Sequence, residues 1–249
     1  MLKSNFEFEV IVNGHSAKEY LHKASYYIEG KQGSKFSLRM RNNSGTRVLF
    51  VPTVDGLSVM SGKEASFESR GYIVNAYSSV TVDGWRTSND NVAEFFFSSP
   101  KGSYAVKSKK GGNLGVIGCA VFKEKQSQPL SWRMTTSKSD FPITLGGSAG
   151  NSGTGNIPPQ IYSLSSASLN CSSQAPSFKA ELGAGFGKDK YSPVVAVDFD
   201  KESSPEEVFS IFYNTRKNLE EMGVEFRKPV YVTPSAFPHE EGYCKRPRN

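Results

Sequence analysis

Asp-Gly occurs at two points of this chain, in Val54-Asp55-Gly56-Leu57 and in Val82-Asp83-Gly84-Trp85, each time between short runs of Val, Leu, Ile and aromatic residues. β-Branched and aromatic flanks favour the pleated conformation, and Asp-Gly between them reverses or ends a strand. Asp tolerates the left-handed region and bonds its own backbone, while Gly takes a positive φ with no Cβ to clash. The first half of the chain is therefore expected to be a β-domain of short strands.

The surrounding pattern agrees. Phe6, Phe8, Val10 and Val12 alternate with residues of the opposite face and run into Asn13-Gly14, a favoured two-residue hairpin turn. Phe36, Leu38 and Met40 point one way while Lys35, Ser37, Arg39 and Arg41 point the other, the period of a strand with one wet face. Further strands are expected near 47–54, 57–60, 71–75, 78–83, 92–98 and 115–123. Phe95-Phe96-Phe97 covers both faces of its strand, so one ring must pack outside the main core. The predicted fold class is mainly β: an antiparallel β-sandwich or jelly-roll-like core over residues 1–125, followed by a C-terminal β+α portion with one amphipathic helix.

Between 126 and 177 the composition shifts to Ser, Gly, Thr, Asn and Pro, most strongly over Gly146 to Gly155. Such a stretch buries too little apolar surface to offset the entropy of ordering it. Two readings stand: a flexible linker, or an extended arm that orders on a neighbouring subunit through Ile157, Ile161, Tyr162 and Leu164.

The last part, 178–249, is expected to contain strands over 178–187 and 191–199 around a Gly-Lys-Asp-Lys turn. A helix over 205–222 follows. Ser204 suits its N-cap, Pro205 its first position, and Glu207 completes a capping box. Val208, Ile211, Phe212, Thr215, Leu219 and Met222 form a stripe at helical spacing, ended by Gly223. The tail beyond it carries Pro229, Pro234, Pro238 and Pro247, and is expected to lie extended against a surface. Its basic end, Lys245, Arg246 and Arg248, is a second candidate contact region.

Composition narrows the function classes. The chain has 249 residues and a formal net charge of +6, with basic residues scattered and forming no dense stripe, which makes nucleic acid an unlikely partner. Three cysteines are too few and too far apart for a disulfide framework or zinc site. Cys119 stands in an apolar run and is expected to behave as a small hydrophobe. The N-terminus has no apolar stretch of signal-peptide length, and no segment is long and apolar enough to span a membrane. Synthesis in a cytoplasm is the expectation.

No catalytic, cofactor-binding or metal-binding residues are assigned. Gly146-Gly147-Ser148-Ala149-Gly150 fits the nucleophile-elbow pattern, with Asp198 and His239 in hydrolase order, but the elbow needs a helix after its serine and this sequence cannot start one. Gly183-Ala184-Gly185-Phe186-Gly187-Lys188 lacks the spacing and hydroxyl of a phosphate loop. His15, His22 and His239 make no close pair with other ligands, and Asp198 with Asp200 is read as a solvated strand face. Trp85, beside Arg86, is read either as packed inside the domain or as a sugar platform at a loop tip.

The stretch Tyr26 to Lys125 resembles a family of poorly characterised proteins encoded by phages, large DNA viruses and some bacteria. The resemblance is carried by Glu29 to Ser34, Arg41-Asn42-Asn43-Ser44, Val54 to Val59 and Gly71-Tyr72. It continues through Asp83 to Ser88, Ala93 to Phe97, Ser103-Tyr104-Ala105 and Gly115 to Gly118, and further on through Tyr213 to Val224 and the Phe237 to Cys244 tail. It implies a non-enzymatic virion structural role, as a minor capsid or capsid-decorating component contacting other virion proteins. It supplies no catalytic residues. A receptor- or carbohydrate-binding β-module and an unrecognised hydrolase are the alternatives.

Overall fold

The computed structural model describes residues 1–3, 5–110, 113–125 and 179–226. The arm residues Ile157, Ile161, Tyr162 and Leu164 and the tail residues Lys245, Arg246 and Arg248 lie outside that range. The described residues form two sheets packed face to face as a β-sandwich.

The first sheet orders β1 (Leu2–Lys3), β2 (Phe6–Val12), β6 (Lys35–Asn42), β12 (Asn91–Ser98) and β11 (Gly84–Arg86). Onto it pair β3 (His15–Ser16) at β2, β10 (Ser78–Val82) at β6, and β14 (Gly183–Tyr191) at β12. The second sheet orders β4 (Glu19–His22), β5 (Ser25–Glu29), β15 (Glu207–Asn214), β13 (Val116–Lys123), β7 (Val48–Val54) and β8 (Leu57–Ser58), with β9 (Tyr72–Val74) paired to β7. Two short helices, α1 (Tyr104–Lys107) and α2 (Arg216–Glu221), accompany them.

Alternation along β6 sets the inner and outer faces of the first sheet. Phe36, Leu38 and Met40 are buried, while Arg39 pairs with Glu9 and Arg41 with Glu7 on the neighbouring strand. Those partners sit opposite one another in the β2–β6 register. Exposed pairs of this kind contribute at most about 1 kcal/mol each, so their effect is to favour this register over a slipped one. Phe36 stacks on Phe95 and Phe97 with ring centroids 5.0 and 4.6 Å apart. Phe8 of the first sheet meets Phe209 of the second at 5.8 Å, which places the core between the layers.

The triple phenylalanine resolves as its alternation requires. Phe95 and Phe97 are buried inside, and Phe96 turns outward over Gly185 of β14, where a Cβ would overlap its ring. The ring covers a position that has no side chain of its own.

Two expectations need correction. Residues 207–214, expected within a helix over 205–222, are strand β15, which lies between β5 and β13. Phe209, Ile211 and Tyr213 are buried on its inner face, so a period of two wins over the helical stripe. The residue types Val-Phe-Ser-Ile-Phe-Tyr suit a strand, and two flanking partners supply hydrogen bonds no local capping signal could outweigh. The helix that remains is α2, capped by Thr215, whose Oγ1 accepts from the Asn218 amide at 3.4 Å, and ended by Gly223 at φ +90. Second, no hairpin forms at Gly187–Lys190, because β14 continues through it along β12 with a shift of register, and the strand expected over 191–199 is irregular from Ser192 onward. Asp83-Gly84 ends a strand, one of the two outcomes expected of it, without reversing the chain into a hairpin. There the chain passes from β10, a partner of β6, to β11, a partner of β12, within one sheet.

The described residues from 180 onward belong to the same compact unit as Met1–Lys125. β14 and β15 complete one sheet each, so the two ends of the chain build a single sandwich.

Candidate functional site

Asp55 is a buried carboxyl engaged through both of its oxygens. With Gly56 it forms the two-residue turn between β7 and β8, at φ 51 and 75 respectively, as Asp-Gly predicts. Its side chain is 1% exposed. Oδ1 accepts from the Tyr213 hydroxyl at 2.6 Å and from the Gly115 amide at 2.9 Å, and Oδ2 accepts from the Ala184 amide at 2.7 Å. One carboxyl thus joins the β7–β8 turn to β15 and the entry to β13 in its own sheet, and to β14 in the other. Burial raises the Asp55 carboxyl above the ordinary range, outweighing the donors that favour its anion, and burial likewise pushes the Tyr213 hydroxyl well up. Neither group lines either of the two hollows described below. The arrangement fastens the turn to three other chain segments and leaves no face of the carboxyl for a ligand.

Trp85 is also interior. It is 2% exposed, its Nε1 donates to the Gly185 carbonyl at 3.0 Å, and its ring packs against Phe95 and Tyr104. A sugar cannot reach either face. Arg86 beside it ties β11 to its surroundings, donating to the Tyr72 hydroxyl at 3.1 Å and to the Ser192 carbonyl. Other buried amides do similar work. The Asn42 side chain donates to the Thr46, Val74 and Asn75 carbonyls, and Asn214 Oδ1 accepts from the Glu181 and Thr215 amides.

The remaining sequence candidates are not brought together. Ser148 and His239 lie outside the described residues, and Asp198 is exposed on an irregular segment. The glycine-rich run at 183–187 lies in strand β14, paired along β12, and not in a loop leading into a helix. Asp200 pairs with Lys125 at 3.1 Å. Among the described residues no group of three or more His, Cys, Asp or Glu could hold a metal ion. Cys119 is buried against Met40, and burial pushes its thiol up, which makes it inert in the folded protein. No helix among the described residues is long and apolar enough to cross a membrane.

The two outward faces of the sandwich differ. The first sheet's outer face is wet, with Arg39–Glu9, Arg41–Glu7, Lys35–Glu94 and Lys190–Asp83 pairs. The second sheet carries a small apolar cluster on its outer face, Leu49, Val51, Ala120 and Phe122, with Ile73 and Phe199 packed on it. Phe67 and Lys201 lie over the Phe122 ring at 6.0 and 4.5 Å. Beside this cluster a hollow of about 520 Å³ is lined by residues including Val51, Thr53, Gly118 and Ala120. A second, of about 640 Å³, lies between β9 and the segment 194–199.

Alternation could have revealed the apolar outer face. Leu49, Val51 and Ala120, Phe122 interleave with the inward residues of β7 and β13, so both strands read as continuous apolar runs, the mark of a sheet covered on both sides. The Asp55 contacts join positions far apart in the chain and had no local signal. No family model, curated protein or solved structure matches this chain.

Proposed function

We propose that this chain is a non-enzymatic structural protein of a virion, a minor capsid or capsid-decorating component that acts by contact with other virion proteins. The observation that carries the reading is the contrast between its outward faces. One sheet presents paired charges to water, while the other carries Leu49, Val51, Ala120 and Phe122 outward. That apolar face is covered by Phe67, Ile73, Phe199 and Lys201 of the same chain, and the covering layer in turn leaves Phe67, Val195 and Val197 exposed as apolar contacts for a neighbour. The pattern that resembles phage and large-virus proteins is spent on scaffold: Asp55, Gly84, Trp85 and Gly115 all serve turns, close strand approach or buried hydrogen bonds. Such residues specify a rigid block, which suits a subunit whose work is fitting its neighbours.

The test is the composition of particles from the source of this sequence. Purified by density gradient and analysed by mass spectrometry, they are expected to contain the chain at a fixed ratio to the major shell protein. Its absence from particles, with the protein found free in the lysate, would overturn the proposal.

A further inference from the structure

One segment of the chain is held like a strand yet pairs with nothing. From Ser192 to Asp200 it runs without helix, turn or bend. It is anchored at both ends: the Ser192 and Val194 amides donate to the Asp90 and Asn89 carbonyls at 2.7 and 2.8 Å, and the Asp200 carbonyl accepts from the Lys125 amide at 2.7 Å. Phe199 is pinned under the Arg47 guanidinium at 5.7 Å. Between the anchors, the backbone amides and carbonyls of residues 195–198 make no hydrogen bond to any described residue. Val195 and Val197 are 87% and 59% exposed. Beneath lies the hollow of about 640 Å³, whose lining includes Leu49, Met60, Tyr72, Ile73 and Val80. Two charges also line it without a partner among the described residues, Arg70 and Asp198.

A pre-extended backbone with open hydrogen-bonding groups is a template for one more strand. Exposed valines at alternate positions fit a strand that is itself apolar at alternate positions. Holding both ends in place lowers the ordering cost that binding otherwise carries. We infer that the segment 195–198 and the hollow beneath it form a strand-addition site for an extended peptide from a partner protein. That peptide has apolar residues at every second position and a carboxylate to meet Arg70. Asp198 selects against a strand that is acidic at every polar position. The inference stands on this segment alone and is independent of the virion reading, since any partner with such a strand would serve.

The test uses the full chain and a short synthetic peptide alternating valine and threonine with one central aspartate. Binding is read by isothermal titration and by amide hydrogen exchange. Strand addition should slow exchange of alternate amides within 195–199 by about tenfold or more. Single proline variants at 195, 196, 197 and 198 give the decisive pattern, because only amides facing the added strand donate to it. One parity pair, either Val195→Pro with Val197→Pro or Ala196→Pro with Asp198→Pro, should abolish binding. The other pair should leave it within about twofold. Arg70→Gln should weaken the aspartate peptide by about two- to fivefold and leave its asparagine counterpart unchanged. These positions are exposed, and unchanged thermal unfolding of each variant confirms that the fold is intact. Loss of binding without period two, protection elsewhere than 195–199, or no binding at millimolar peptide overturns the inference. So does protection that appears without peptide as protein concentration rises, since the occupant would then be a second copy of this chain.

Discussion

The Tyr213 hydroxyl donates to Asp55 Oδ1 at 2.6 Å, and both side chains are sealed inside the sandwich. The bond links the turn of a local hairpin to a strand that enters its sheet from the last third of the chain. Removing the hydroxyl leaves a buried carboxyl with two backbone donors in place of three partners. Tyr213→Phe is expected to cost about 1–3 kcal/mol in urea unfolding, with the upper part of that range set by the unpaired oxygen. A variant as stable as the parent would mean that the bond contributes nothing net.

Asp55 also makes stability depend on pH. Its carboxyl is raised above the ordinary 3.8, by burial first. A raised folded value means that the folded protein holds the proton more tightly than the unfolded chain. The stability this group contributes is therefore full below pH 3.8 and declines as pH rises through the raised value. Asp55→Asn, which does not titrate, isolates the effect. The stability gap between parent and variant should narrow as pH climbs from below 3.8. A gap that widens instead would show that the fold favours the anion.

Gly185 and Phe96 should behave as a pair. A Cβ at Gly185 meets the Phe96 ring, which is partly exposed and can swing outward, so Gly185→Ala is expected to cost about 1 kcal/mol, the low end for overpacking. In a Phe96→Ala background the same substitution should be close to neutral. The double-mutant cycle checks this, and additive effects would place the cost of the alanine elsewhere.

Ser58 points the other way. Its hydroxyl is buried in the β7–β8 hairpin and is the one buried side-chain polar atom without a partner among the described residues. Ser58→Ala removes an unsatisfied group for little lost volume. It should leave stability unchanged or raise it by up to about 1 kcal/mol, measured by thermal unfolding. A clear loss would show that the hydroxyl has a partner after all.

How much of this was legible in the sequence follows from how local each signal is. Asp55-Gly56 and Asn13-Gly14 formed the hairpins their residues demand, and β6, β7, β12 and β13 fell where alternation or apolar runs placed them. The Ser204–Glu207 capping signal was a false lead. Val208, Ile211, Phe212 and Thr215 fit a helical stripe, but Phe209, Ile211 and Tyr213 fit a strand as well, and only pairing with β5 and β13 decides between them. Asp83-Gly84 marked the end of a strand but not its partner, since a residue pair cannot tell whether the strands on either side will bond each other or two different neighbours. The hydrogen bonds that converge on Asp55 come from positions 115, 184 and 213. That convergence exists only once both sheets have formed.

The placement of β15 has a consequence for biosynthesis. This strand fills the middle of its sheet, parallel to β5 on one side and antiparallel to β13 on the other. While a ribosome is still making the chain, those two neighbours are separated by a strand-wide gap with raw edges facing it. The sheet can close only after residue 214 has left the exit tunnel, so most of the polypeptide must wait, incompletely folded, for a piece near its end. Termination between β13 and β15 would release a chain with both of those edges open, a ready seed for aggregation.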